Sequence, residues 1–186
     1  DQSHDKQRKI YAKLFWKDQK RKGYTLYDTE RLMWERNYFA SMMVKNGDAD
    51  AMLSGYSRNY RSVVKPILET ISKAKGVSKV AATNLMLTKS GPLFLTDTTI
   101  NVEPTSKELA KIAQMTSHMA GLFGIEPVIA LLSFSNFGSS RFSQAKKVTE
   151  AVSILHRSNP NLVVDGPIQS DFAINKNLLN KVFPFS

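Results

Sequence analysis

The sequence predicts an α/β sandwich entered through a pair of helices, and three observations predict it. Apolar residues recur at helical spacing through the first fifty positions. From Ala49 onward, short apolar runs alternate with amphipathic helical stretches. Gly, Pro, Asn and Ser punctuate almost every change of pattern, as turns and caps require. With 186 residues and 42% apolar content the chain can bury a real core. It has only nine glycines and seven prolines and no internal repeat, so linkers are short and the whole chain is expected to be ordered.

Ile10, Leu14 and Phe15 fall on one helical face, and Gly23 stops a first helix that runs from about Asp5 to Lys22. Thr25 or Asp28 caps a second helix with apolar positions Leu32, Met33, Tyr38, Phe39, Met42 and Met43. It ends at Asn46-Gly47. Residues 1–48 thus read as a helical hairpin and 49–186 as the α/β domain. Ala51 to Ser54 reads as a strand broken at Gly55, followed by a helix carrying Val63, Val64, Ile67, Leu68 and Ile71. Val80 to Leu87 and Leu93 to Thr96 read as an antiparallel hairpin joined at Ser90-Gly91-Pro92. Thr105 and Glu108 form a capping box ahead of a helix bearing Leu109, Ile112, Ala113, Met119 and Phe123, closed by Gly124. Val128 to Phe134 is expected to be a buried strand. A helix from about Ser143 to Arg157 and a strand from Leu162 to Val164 complete the alternation.

Composition narrows the function. The absence of cysteine excludes disulfides, thiolate metal sites and thiol nucleophiles, and together with an N-terminus unlike a signal peptide it suggests a cytoplasmic protein. The longest apolar run, Val128 to Leu132, is far below the ~20 residues that cross a bilayer. The net charge of +10 favours polyanionic partners. Much of it lies in Lys6, Arg8, Lys9, Lys13, Lys17, Lys20, Arg21 and Lys22, interleaved with Tyr11, Phe15 and Trp16. Such a stretch suits phosphate binding or a solvated helix face. No nucleic-acid motif accompanies it, so an anionic metabolite is the better partner.

The segment richest in chemistry is Leu131 to Ser140, where a strand runs into a polar loop before a helix. Backbone N–H groups and the hydroxyls of Ser135, Ser139 and Ser140, with Asn136, can hold phosphate oxygens, and Gly138 lets the backbone come close. The same residues also serve as plain helix caps. Arg58 and Arg61 follow the Gly55 break and suit an anionic ligand, or simply an exposed helix start. Asp97, Asp165 and Asp171 could gather at a sheet edge, although Asp165-Gly166 is equally an ordinary turn. His4, His118 and His156 are scattered, and His118 flanks the stripe of its helix. There is no G-x-G-x-x-G, Walker loop or H-E-x-x-H, so neither a nicotinamide nor a divalent metal has a recognisable home in this chain.

Several blocks resemble the phosphate acetyltransferase/butyryltransferase family. Met43-Val44-Lys45-Asn46-Gly47-Asp48-Ala49-Asp50 matches its M-V-x-x-G-x-A-D signature. Phe94-Leu95-Thr96-Asp97 with Asn101 and Pro104-Thr105 resembles its F-x-D-x-x-x-N-x-x-P-T segment. Phe123-Gly124-Ile125-Glu126-Pro127, and Asn161 to Gly166 with Gln169, Asp171 and Ala173 beyond, resemble two later blocks. The strand, loop and helix from Ala130 through Lys146-Lys147-Val148-Thr149-Glu150-Ala151 complete the match. One departure points to a branch. Stand-alone acyltransferases read S-Y-S-T-K-G-S, whereas S-F-S-N-F-G-S-S here resembles the type that forms the C-terminal half of large NADP-dependent malic enzymes, and Phe183-Pro184-Phe185-Ser186 agrees with it.

The resemblance implies a three-layer α/β/α sandwich of the isocitrate/isopropylmalate dehydrogenase-like type, the chain being a piece centred on its second domain. It implies that the Ser-Arg and acidic positions used on coenzyme A and phosphate lie beyond Ser186, so no complete catalytic set is expected here. In the malic-enzyme branch this half is expected to regulate and oligomerise. It would bind acetyl-CoA as effector, while the parent oxidatively decarboxylates malate to pyruvate with NADP and Mg or Mn. True phosphate acetyltransferase chemistry is the alternative. Acyl-CoA or phosphate would meet Ser135, Asn136, Gly138, Ser139, Ser140, Arg58, Arg61, Asp165 and Gly166. Homo-oligomers are expected because Trp16, Trp34 and Phe39 exceed what a helical hairpin can bury.

Overall fold

A computed structural model describes residues 2–186, with the side chains of 6–186; His4 lies outside the described side chains. The chain forms two compact units, Asp1–Gly76 and Val77–Ser186. The division therefore falls at Gly76, whereas the sequence suggested 48/49. The reason is local: the helix after Gly55 packs on the preceding helix rather than on a sheet.

In the first unit, α1 (Gln2–Gln19) runs into a 3-10 turn, Lys20–Lys22, and Gly23 ends it at φ +91, a left-handed conformation that glycine adopts freely. α2 (Leu26–Leu32) opens with a capping box between Thr25 and Asp28. The expected second helix is broken at Met33–Glu35, where the Glu35 carboxylate accepts from the N–H groups of Asn37 and Tyr38 and starts α3 (Arg36–Asn46). The apolar stripe crosses the break without interruption, which hides it from periodicity. Tyr11, Ala12, Phe15, Met33, Tyr38 and Met42 form the core, with Leu14, Leu32, Phe39 and Met43 around it. The face of α1 is thus set by Tyr11 and Phe15, and Ile10 is half exposed. Ala51 to Ser54, expected as a strand, pairs with no other segment among the described residues.

α4 (Tyr60–Thr70) contains Pro66, which cannot donate to the carbonyl of Ser62 one turn back. The side-chain amide of Asn37 supplies the missing donor (3.3 Å), and Ser54 donates to the other end of the same amide (2.7 Å). Below it, the Tyr38 and Tyr24 hydroxyls donate to the Glu69 carboxylate, and Gln19 Nε2 donates to the Glu69 carbonyl (2.6 Å).

In the second unit, β1 (Thr83–Thr88) and β2 (Gly91–Thr96) form the expected antiparallel hairpin. The turn sits at Lys89-Ser90, leaving Gly91 and Pro92 in the second strand. Asp97 follows. Burial opposes its ionisation, but hydrogen bonds from the N–H groups of Ala82, Asn101 and Ile100 and from the Asn101 amide hold its pKa below the ordinary carboxylate value. α5 (Ser106–Leu122) starts at the predicted capping box, and Glu108 also pairs with Lys79 (2.9 Å).

β3 (Val128–Leu132) and β4 (Val163–Ile168) pair in parallel, joined through α6 (Ser143–Ser158). Ala110, Ala113, Leu155 and Val164 form the core with Ile129, Leu131, Ile154 and Leu162. β3 was expected to be buried. Instead only alternate residues turn inward, and Val128 and Leu132 are 79% and 50% exposed, because β4 is its one strand neighbour among the described residues. The two short helices α7 (Ser170–Ile174) and α8 (Lys176–Val182) end the unit. The fold is therefore α/β, and among the described residues the strands lie in two separate two-stranded sheets rather than one broad sheet.

Candidate functional site

The loop leaving β3 is stitched to the end of β4. Ser133 N–H donates to the Ile168 carbonyl (2.9 Å) and Phe137 N–H to the Pro167 carbonyl (2.7 Å). Asn136 and Gln169 exchange two bonds, Nδ2 to Oε1 (2.6 Å) and Gln169 N–H to Asn136 Oδ1 (2.7 Å). The loop that carries the predicted Ser135, Asn136, Gly138, Ser139 and Ser140 is thereby tied to Pro167, Ile168 and Gln169 at the end of β4, whereas the predicted Asp165 and Gly166 lie earlier on that strand, against Ala130 and Leu131 of β3. Gly166 is indispensable to this approach. Its φ is +138, and a Cβ there would lie 2.5 Å from the Leu131 carbonyl oxygen.

Within the loop, the Ser139 hydroxyl accepts from Asn136 N–H (3.2 Å) and the Ser140 hydroxyl from Phe142 N–H (3.3 Å). Both oxygens brace the loop while their protons remain free to donate. Ser135 Oγ is buried without a partner. Gly138 has φ +83 with nothing within 4 Å of a built Cβ, so its surroundings are open. α6 begins at Phe142 without a side-chain cap; the Ala145 N–H donates to the Phe142 carbonyl, which leaves the N–H groups of Ser143 and Gln144 at the helix start, where Arg141 stands exposed.

Phe137, at φ +40, packs edge-on against Phe183 and Phe185 at ring-centroid distances of 4.9 and 5.1 Å, and Phe172 packs on Phe183 at 5.0 Å. Asp165 accepts from the N–H of Gly166 (2.7 Å) and from the Ser186 hydroxyl, so its carboxylate is already engaged. Asp97 is occupied by its own loop, as described above. Asp171 sits in the first turn of α7. His156 Nε2 bonds the Val164 carbonyl (2.9 Å), an internal tie between α6 and β4, and His118 is exposed.

In the first unit, Arg58 lines a groove of about 290 Å³ between the start of α3 and residues 52–58. Arg36, which sequence reasoning passed over as one more helix residue, lines it too. Neither guanidinium is in an ion pair among the described residues. Arg61 stands exposed in the first turn of α4 and is not part of the lining.

A family profile described as phosphate acetyl/butaryl transferase matches residues 1–186. The chain belongs to that family. It is 35% identical over 176 residues to a phosphate acetyltransferase of Nitratidesulfovibrio vulgaris, covering 95% of this chain and 25% of the relative. It is 37% identical over 175 residues to an NADP-dependent malic enzyme of Haemophilus influenzae, covering 94% and 23% respectively. A phosphotransacetylase structure from Streptococcus pyogenes superposes with a TM-score of 0.79 at 35% identity, covering 98% of this chain and 55% of that one. The chain thus spans about a quarter of those two curated relatives. Within the family, phosphate acetyltransferases and malic enzymes stand at comparable identity, so overall similarity does not separate the branches.

Proposed function

We propose that this chain is the phosphotransacetylase-like regulatory and oligomerising part of an NADP-dependent malic enzyme, with acetyl-CoA as its allosteric effector. The observation that carries the reading is Phe137. It stands where the S-Y-S-T-K-G-S pattern of stand-alone acyltransferases has a lysine, and it is engaged with Phe183 and Phe185. A cation that would sit against phosphate in the loop is replaced by an aromatic ring committed to packing. What remains is a small set of neutral donors, the Ser139 and Ser140 hydroxyls and the N–H groups of Ser143 and Gln144 at the α6 start. That set suits reversible binding of an acyl-CoA phosphate better than stabilisation of developing charge. In the first unit, taken by itself, Arg58 and Arg61, with Arg36 beside Arg58, would favour an anionic ligand.

In the parent, NADP and Mg or Mn would serve the malate reaction on another domain. The described residues of this chain offer no cluster of three carboxylates or imidazoles suited to a metal, and no step of that reaction is assigned to them. The three-layer sandwich would be completed by other parts of the parent chain, dimers or larger homo-oligomers would form, and the protein would work in the cytoplasm. No helix among the described residues is long and apolar enough to cross a membrane.

The second reading, a phosphate acetyltransferase, is favoured by the relatives that carry that name at 35% identity. There a phosphate oxygen would attack the thioester carbonyl carbon, the C–S bond would break, and coenzyme A would leave as thiolate with acetyl phosphate formed. The two are separated in the full-length protein. Malate-dependent NADP reduction that responds to acetyl-CoA, without acetyl phosphate formation above a buffer control, supports the first. Acetyl phosphate formation without malate turnover overturns it. Light scattering at high micromolar concentration checks the oligomer, and a monomer would count against that part.

A further inference from the structure

We propose that α1 presents a docking surface for an acidic helix of a separate protein. Lys6, Lys9, Lys13 and Lys17 recur at spacings of three and four residues, and all four are exposed. At about 100° per residue they fall within an arc of about 80°, a single cationic line about 17 Å long. The opposite face of the helix holds the core residues Tyr11 and Phe15. Lys20 extends the line into the 3-10 turn, its ammonium 5.4 Å from the centre of the Trp16 ring.

The line is not neutralised from within. None of Lys6, Lys9, Lys13 and Lys17 enters an ion pair among the described residues. Acids that reach α1 do so elsewhere on its circumference: Asp18 pairs with Lys45, and Asp48 accepts from Gln7 and Tyr11. From residue 6 to residue 22 the chain holds eight Lys and Arg against Asp18 alone. Helix stability does not call for this arrangement. Cations three and four residues apart repel, and the helix dipole favours only those in the last turn, where Lys17 sits. A partner that brings acids to the line relieves that repulsion.

The geometry selects the kind of partner. Successive lysines lie about one turn apart, so a helix laid alongside with Asp or Glu every three or four residues meets each of them in register. Ile10, half exposed, and Trp16, half buried, stand on the two margins of the line and offer such a helix apolar contact. Nucleic acid fits less well. Ammonium groups lack the guanidinium fork that grips phosphate, and the Trp16 ring, half buried with Lys20 over it, gives a base little to stack on. An anionic membrane needs an apolar helix face to insert, and that face of α1 is packed in the core. A second copy, itself at +10, is repelled. The inference does not rest on the function proposed above, and its test leaves the acetyl-CoA response of the full-length protein untouched.

The test is fluorescence anisotropy of the 186-residue chain with a labelled helical peptide of about twenty residues that carries glutamate every three or four positions. A peptide of the same composition with its glutamates scattered around the helix, poly-uridylate RNA and phosphatidylserine vesicles are the comparison probes. Lys9→Glu/Lys13→Glu is set against Lys111→Glu/Lys146→Glu, two exposed lysines of the second unit whose reversal changes the net charge equally. Thermal melts establish folding, and Lys9→Gln/Lys13→Gln, with an expected loss of about threefold or more, replaces the reversal should it not fold. The aligned peptide should bind. Lys9→Glu/Lys13→Glu should weaken it about tenfold or more, since two attractions become two repulsions, and the remote variant by less than about twofold. Binding should also weaken as salt rises to physiological strength. No binding of the aligned peptide, equal loss in the two variants, equal binding of the scattered peptide, or tighter binding of the RNA or the vesicles through Lys9 and Lys13 would each overturn the proposal.

Discussion

Replacing Gly166 by alanine should be among the most damaging single-methyl additions in this chain. Two costs combine. At φ +138 the backbone occupies a region that residues with a side chain rarely adopt, which costs about 1–3 kcal/mol. The new Cβ would also sit 2.5 Å from the Leu131 carbonyl oxygen and 3.2 Å from Leu131 Cβ, both part of the paired strand β3. Ordinary C···O contacts begin near 3.3 Å, so β3 and β4 must separate by most of an ångström, and forced overpacking of this kind costs about 1–3 kcal/mol more. The expected loss is about 2–6 kcal/mol, or a fall in Tm of roughly 10 °C or more for a unit of about a hundred residues. Gly138→Ala is the internal control. Its φ is +83 but its surroundings are open, so only the left-handed backbone cost of about 1–2 kcal/mol applies. Thermal melts followed by far-UV circular dichroism on both variants decide the matter. A Gly166→Ala protein no less stable than Gly138→Ala would refute the close approach of β4 to the β3 backbone.

A bulky residue at Gly138, such as leucine, should shift the acetyl-CoA midpoint of the full-length protein; unchanged midpoint and amplitude would reduce the loop to a helix cap. Glu108, held at a pKa of about 2 by the Lys79 side chain and the Thr105 N–H, lies well below the unfolded value of about 4.3. Its contribution is fully present above that unfolded value and disappears as pH falls toward 2, so the Tm gap between the wild type and Glu108→Gln should close over that window; a constant gap would count against the pair. Leu155→Ala, at a fully buried position of the second core, should cost about 2–5 kcal/mol in urea unfolding, and a loss under 1 kcal/mol would contradict its place there.

Much of the fold can be read from local chemistry. The capping boxes at Thr25 and Thr105, the stops at Gly23, Gly47 and Gly124, and the β1–β2 hairpin are each written in a few adjacent residues, and the structure has them. What escaped reading depends on distant partners. The break at Met33–Glu35 is hidden because Leu32, Met33, Tyr38 and Met42 serve one core from two helices. Tyr11 displaces Ile10 from that core because its ring lies on Phe39 and its hydroxyl reaches Asp48, 37 residues away. The polar loop was legible as a loop that ends a strand. The aromatic cluster that fixes Phe137 joins residues 46 and 48 positions apart, and no pattern near Phe137 announces it. Arg36 looks like any helix residue until the fold sets it beside Arg58.

The proline inside α4 has a consequence for how that helix can vary. Because the Ser62 carbonyl takes its donor from Asn37, the helix borrows part of its backbone pairing from another helix, and positions 37 and 66 form a lock and key. Asn37→Ala alone strands both the carbonyl and the Ser54 hydroxyl, whereas adding Pro66→Ala restores an N–H for the carbonyl and should recover part of the loss. Drift at either position is therefore constrained by the other, and the pair fixes how far α4 can slide along α3. Asn37 also lines the groove that holds Arg36 and Arg58, where its bond from Ser54 ties the segment 52–58 to α3, so the same side chain that completes α4 shapes that groove.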